Sequence, residues 1–175
     1  MKRAIFAGGC FWCTEAVFNR LKGVENVKSG YTGGFIKNPA YREVCQGRTG
    51  HTEGIRLDYD EMLISYADLL EVFFATHDPT TLNRQANDVG TQYRSAIFYT
   101  DNEQHEMAKK YINSIDDAKV FEDPIVTELM PLEVFYDAED DHDNYYDENR
   151  DQPYCTYLID PKIKKLTTHF NSFLK

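Results

Sequence analysis

Apolar positions along this chain change rhythm several times, from short unbroken runs to near-helical spacing and back. The run "RAIFA" (3–7) predicts a buried strand, and "FWCTEAVFNRL" (11–21) places Phe11, Ala16, Val17 and Leu21 at helical spacing, with Gly23 as a stop signal. "VENVKSGY" and "EGIRLDYD" predict two strands flanking a glycine-rich loop over residues 30–51. A loop that long is unusual in a compact domain unless it does something. "SYADLLEVFFATHD" predicts a helix with Ser65 and Asp68 as a capping box and Leu69, Leu70, Phe73 and Phe74 as its buried stripe. A polar loop (79–92) then leads into "YRSAIFYT", read as a central strand rich in aromatic and β-branched residues. "DNEQHEMAKKYINSI" reads as an amphipathic helix started by Asp101, and "PIVTEL" and "LEVFYDA" as two strands split by Pro131. "PKIKKLTTHFNSFL" closes the pattern as a helix with Ile163, Leu166, Phe170 and Phe173 on one side.

Strands and helices mixed in this order predict the α/β or α+β class, a sheet with helices packed on it. No repeat or linker interrupts the pattern, so residues 1–175 read as one domain, able to bury roughly 70% of its unfolded surface. Hydrophobic residues at 42% and aromatics at 14% suit a globular chain. A net charge of −10 argues against sequence-independent nucleic-acid binding and against docking on anionic membranes. No apolar run approaches the roughly 18 residues of a membrane span, and the apolar stretch after Lys2 and Arg3 is too short for a signal-peptide core. The four cysteines therefore read as thiols in a reducing cytoplasm, and a monomer is the simplest expectation. Residues 137–151 are strongly acidic, with Arg150 the one basic exception apart from His142; a solvated face accounts for most of them.

The chemistry concentrates in "AGGCFWC" (7–13). Cys10 and Cys13 have the spacing of a zinc half-site that Cys45, His51 or Cys155 could complete, but no second C-x-x-C or H-x3–5-H is present. The same spacing at a helix start fits a thioredoxin-type redox pair, which leaves Phe11 and Trp12 unexplained. Burial as a small hydrophobe suits Cys45 best. A nucleophile is the fourth reading. At the first turn of a helix, orphan N–H groups and the macrodipole favour thiolate at Cys10, Gly8 and Gly9 leave the sulfur uncovered, and Phe11 and Trp12 form an apolar wall. Residue chemistry alone reaches a thiol-dependent enzyme with a small apolar recognition site.

Several blocks, in order, resemble the type A peptide methionine sulfoxide reductase family: "GGCFWC", "SGYTGG", "NPAYREVCQGRTGHTEGIRLDYD", "FFATHDPTTLNRQANDVGTQYRSAIFY" and "VFYDAEDDH". The resemblance implies a two-layer α+β sandwich with a mixed sheet and a ferredoxin-like core. It also implies a reaction in which Cys10 attacks the sulfoxide sulfur, methionine is released and Cys10 is left as a sulfenic acid. A second thiol then forms a disulfide that thioredoxin reduces, with no bound cofactor or metal. By the same resemblance Glu53 donates to the sulfoxide oxygen. Tyr41, Asp88 and Tyr93 hold that oxygen or an ordered water, Phe11 and Trp12 cradle the ε-methyl, and His142 is drawn toward the pocket. Such a donor fits the chemistry, because sulfoxide oxygen is a strong acceptor and a poor leaving group, and a buried carboxyl can stay protonated. His51 reads as a hydrogen-bonding loop or core residue.

The chain departs from the family pattern in three places. Cys13 follows Trp12 at a variable position, so either Cys13 or Cys155 can resolve the sulfenic acid; Cys155 is favoured because it matches the family's resolving position. The segment "DQPYCTYLIDPKIKKL" lacks the glycines of a swinging tail. Asp143, Arg150 and Ala86 replace the usual glutamine, proline and glycine, and Ala86 is expected to tighten the loop carrying Asp88.

Overall fold

The computed structural model describes residues 1–175. Strand β1 (Lys2–Ala7) lies between β3 (Thr52–Tyr59) and β6 (Ala96–Tyr99), antiparallel to both. β2 (Val24–Thr32) runs antiparallel to β3, and the short β7 (Glu128–Pro131) and β8 (Phe135–Asp137) complete the sheet at its two edges, in the order β7-β6-β1-β3-β2-β8. With helices α1 (Phe11–Phe18) and α3 (Tyr66–Ala75) between them, β1, β2, β3 and β6 have the split β-α-β connectivity of a ferredoxin-like core. The fold is α+β, a mixed sheet with helices packed against it.

Alternation along β1 sorts its side chains by face. Ala4 and Phe6 enter the main core with Phe18, Leu69 and Phe73, and the Phe6 ring stacks on Phe18 at 5.2 Å. Ile5 and Ala7 face the other way, onto Ala96 and Phe98. α3 starts as the sequence predicts: Ser65 Oγ accepts the Asp68 N–H at 3.0 Å, and the Asp68 carboxylate accepts the Ser65 N–H at 3.1 Å. Asp101 likewise caps α4 (Asn102–Asp117), accepting the Gln104 N–H at 2.8 Å. No helix is long and apolar enough to cross a membrane.

Four local details differ from the sequence reading. The loop over 30–51 contains a helical turn, α2 (Tyr41–Cys45), held at its start by Glu43 accepting the Ala40 N–H at 3.0 Å; it is too short to show periodicity. Within 79–92, β4 (Arg84–Gln85) and β5 (Asp88–Val89) form a hairpin turned by Ala86 at φ +52°. Pro131 ends β7 rather than separating two strands, which an edge strand tolerates because its free side needs no donor. Finally, a π-helical turn over 155–159 precedes α6 (Asp160–His169): Pro161 lacks the amide that the Tyr157 carbonyl would accept in an α-helix, and the turn widens.

The acids of 137–151 are mostly exposed, as expected, but several are paired. Arg56 meets Asp137 at 2.8 Å, Lys28 meets Asp143 at 2.9 Å, and Arg20 meets Asp147 at 2.8 Å. They tie the segment leading to α5 (Tyr145–Glu148) back onto the sheet and the end of α1. The last residues close on the same helix: the Lys22 N–H donates to the Phe173 carbonyl at 2.8 Å, and the Lys175 N–H to the Arg20 carbonyl at 3.0 Å.

Candidate active site

Between β1 and α1 the chain must turn sharply, and Gly9 makes that turn at φ +87° with the Gln85 side chain packed where a Cβ would stand, 2.6 Å away. The turn delivers Cys10 to the N-cap of α1, where it is 8% exposed. The thiolate expected from the helix start is not what the resting protein holds. Burial pushes the Cys10 thiol well above its usual range, with Glu53 and Cys13 adding to the effect, and these outweigh the opposing pull of the Trp12 amide and the Tyr154 hydroxyl. Cys10 rests as a thiol.

Glu53 enters from β3 opposite Tyr31 of β2. Its Oε1 accepts the Phe11 N–H of α1 at 3.1 Å, while its Oε2 is buried with no hydrogen-bond partner. Burial raises the carboxyl to about 8; the Phe11 amide opposes this and Asp88 adds to it. At neutral pH Glu53 is therefore largely protonated, with a donor oxygen turned toward no protein acceptor.

Tyr41 and Tyr93 come from α2 and from the turn after β5, and both stand within electrostatic reach of Glu53 and Cys10. Burial, the largest cause for each, raises both phenols, so they are donors at any working pH. Tyr41 is fixed by its backbone, whose N–H donates to Glu139 Oε2 at 3.0 Å; the Tyr31 hydroxyl donates to Oε1 of the same carboxylate at 2.9 Å. His142 is 6% exposed and does line the site. Its Nδ1 accepts the Trp12 indole N–H at 3.1 Å, and its ring packs 4.4 Å from Tyr41 and 5.1 Å from Phe11. Because indole nitrogen only donates, this contact requires the tautomer with Nδ1 unprotonated. His51 is away from the thiols, holding the 30–51 loop through Gly34 and Ile36.

Asp88 is already engaged: the Tyr154 hydroxyl donates to its Oδ2 at 2.6 Å, and the Cys13 thiol donates to the same hydroxyl at 3.8 Å. Tyr145 stacks on Trp12 with centroids 3.7 Å apart and planes 6° from parallel, and Tyr154 meets the indole edge-on. These tyrosines, which the sequence reading did not single out, cover the thiol side; the only hint of Tyr154 is its place beside Cys155. A third missed residue is Glu15, 2% exposed on α1. Burial raises it to about 7, opposed by the amides of Asn144 and Tyr145, so it anchors the loop from which Tyr145 reaches Trp12.

Cys10, Cys13 and Cys155 share one buried cluster with Ala16, Tyr146 and Ile159, and no disulfide joins any of them. Cys45 stands apart on α2 near Tyr41. No three His, Cys, Asp or Glu side chains converge as a metal-ligand set. A groove lined in part by Phe35, Arg94 and Met130 opens elsewhere and includes none of the thiols.

A buried thiol at a helix cap, a protonated carboxyl with a free oxygen, two phenol donors and a second thiol beside the first define a thiol-based oxidoreductase site for a small polar acceptor with an apolar neighbour. The comparisons narrow that class. The sequence model of the family described as peptide methionine sulfoxide reductase matches residues 2–173, and the chain belongs to that family. It is 53% identical over 175 residues to the peptide methionine sulfoxide reductase MsrA of Chromobacterium violaceum, covering 100% of this chain and 99% of that one. Reduced Mxr1 from Saccharomyces cerevisiae has a similar fold, with a TM-score of 0.80 and 32% identity over 90% of this chain and 91% of Mxr1. Mxr1 solved in complex with Trx2 is similar at a TM-score of 0.56 and 22% identity, covering 82% and 84%.

Proposed function

We propose that this chain reduces methionine-S-sulfoxide to methionine, with Cys10 as nucleophile and Glu53 as the acid that protonates the sulfoxide oxygen. The observation that carries this reading is the unpaired, buried Oε2 of Glu53 next to Cys10. A carboxyl held neutral is a poor structural element and an effective donor to oxygen that gains charge as its bond to sulfur weakens.

The substrate methyl rests against Phe11 and Trp12, and its oxygen faces Glu53, Tyr41 and Tyr93. Cys10 attacks the sulfoxide sulfur. In net terms the oxygen passes to Cys10: the substrate sulfur gains two electrons, and the S–H of Cys10 becomes S–OH. A neighbouring thiol then bonds to the Cys10 sulfur, the S–O bond breaks, and hydroxide leaves as water with the proton that thiol gives up. Cys13 and Cys155 share a buried cluster with Cys10 and are the resolving candidates. An external dithiol of the thioredoxin type restores the pair by thiol–disulfide exchange; the complex of yeast Mxr1 with Trx2 supports that partner.

The test is a rapid single turnover on a blocked methionine-S-sulfoxide. Wild type gives one equivalent of methionine and a new disulfide, located by mass spectrometry. Cys10→Ser gives neither. Methionine formed at the wild-type rate by Glu53→Gln would remove the acid role.

A further inference from the structure

Lys162 is a half-buried cation without an ion-pair partner. It sits on α6 and lines, together with Gly8, Cys13, Thr14, Thr76 and His77, a small space under α1. Its Nζ donates to the Thr76 carbonyl at the end of α3, and no carboxylate lies within ion-pair distance. Burial lowers its pKa, and the group that most opposes this is Cys13, once ionised; Lys165 adds to the lowering and Asp78 opposes it weakly. His77 contributes no charge, since burial pushes it down to about 4 while its ring bonds Phe73 and Ser95. An ammonium partly withdrawn from water and lacking an ion-pair partner is stabilised when an anion forms beside it.

The relationship is reciprocal. Burial raises the Cys13 thiol to about 11, and of the groups facing it Lys162 acts most strongly to bring it down. The Tyr154 hydroxyl helps, while Asp88 and Cys155 work against ionisation. Cys10, the remaining neighbour, rests as a thiol.

We propose that Lys162 is the counter-ion of the Cys13 thiolate and thereby makes Cys13 the first thiol to attack oxidised Cys10. This rests on the reduction described above. The Cys13 sulfur bonds to the Cys10 sulfur, the S–O bond of the sulfenic acid breaks, and hydroxide takes up the proton Cys13 released and departs as water. When an external thiolate later attacks the Cys10 sulfur, Cys13 leaves as a thiolate onto the same ammonium.

Lys165 supplies the control, because its Nζ caps the Ala75 carbonyl at the same end of α3 without facing Cys13. In a chain retaining Cys13 alone (Cys10→Ser, Cys45→Ser, Cys155→Ser), the pH dependence of iodoacetamide alkylation reads the thiol directly. Lys162→Met should move its midpoint up by about one pH unit or more, Lys162→Arg should restore it, and Lys165→Met should leave it in place. Lys162→Gln, which keeps a donor for Thr76, serves if the methionine variant does not fold. In the full chain, Lys162→Met should lengthen the lifetime of the Cys10 sulfenic acid, trapped with dimedone, about tenfold, matching that one-unit shift. An unmoved midpoint, or an equal shift in Lys165→Met, would overturn the pairing. If the wild-type chain releases no methionine, the reduction fails while the alkylation result still decides the ion pair.

Discussion

Glu53 and Phe11 are 42 residues apart in sequence and joined by one hydrogen bond of 3.1 Å, from the first amide of α1 to a single carboxyl oxygen. That bond uses Oε1 and leaves Oε2 as the protonated oxygen. The first turn of the helix therefore orients the acid as well as presenting the thiol.

With Glu53 at about 8 by burial, the protonated fraction falls as pH rises through that value. The single-turnover rate of methionine formation should decline on the alkaline side of pH 8, as read by stopped-flow quenching across a pH series. Glu53→Gln should lower the rate by about 10²–10⁴-fold and abolish this limb.

Stability should fall over part of the same range. Glu53 and Glu15 are both raised by burial, to about 8 and about 7, from a usual value of 4.5. The unfolded chain ionises them near 4.5 while the folded chain keeps their protons. Their contribution is therefore complete below that pH and is lost as pH rises through 7 and 8. Urea unfolding at pH 5, 6, 7 and 8 should show a loss of up to about 1.4 kcal/mol per pH unit for each group. Glu15→Gln should flatten the profile below pH 7; an unchanged slope would contradict the burial of a protonated Glu15.

Trp12 is the only tryptophan, so its emission reports the stack with Tyr145 and the bond to His142 without interference. Tyr145→Ala should shift the emission maximum to the red and cost about 0.5–1.5 kcal/mol in unfolding free energy. A spectrum identical to wild type would show that the stack does not persist in solution.

Ala86 carries φ +52° in the turn before Asp88, a conformation in which its Cβ crowds the following carbonyl. Ala86→Gly should stabilise the protein by roughly 1 kcal/mol in thermal or urea unfolding. Gly9→Ala should do the reverse, because there a Cβ meets both the strained φ and the Gln85 side chain.

Much of this was legible along the chain because it is written in short-range rules. The capping pair Ser65–Asp68, the cap at Asp101 and the apolar run of β1 each need only a few neighbouring residues to be recognised. Cys10, Phe11 and Trp12 could be read as a nucleophile and its wall only as one of four options, and the resemblance to a known family is what singled that option out. The burial that keeps Cys10 protonated was not legible, since it comes from Tyr154 and the thiol cluster at the far end of the sequence. Glu15, Glu139 and Lys162 look like ordinary surface charges on amphipathic segments. Only the closing of the C-terminal segment over α1 and the docking of residues 139–145 give them their roles. The π-turn at 155–159 follows from a proline whose effect lies four residues upstream, outside any simple periodicity.

The hydrogen bonds from Lys22 to Phe173 and from Lys175 to Arg20 fasten the end of the catalytic helix to the last residues of the chain. These are backbone bonds, so residues 173–175 hold the stretch that follows α1 whatever their side chains, and any loosening of that seam is carried along one short helix to Cys10 at its opposite end.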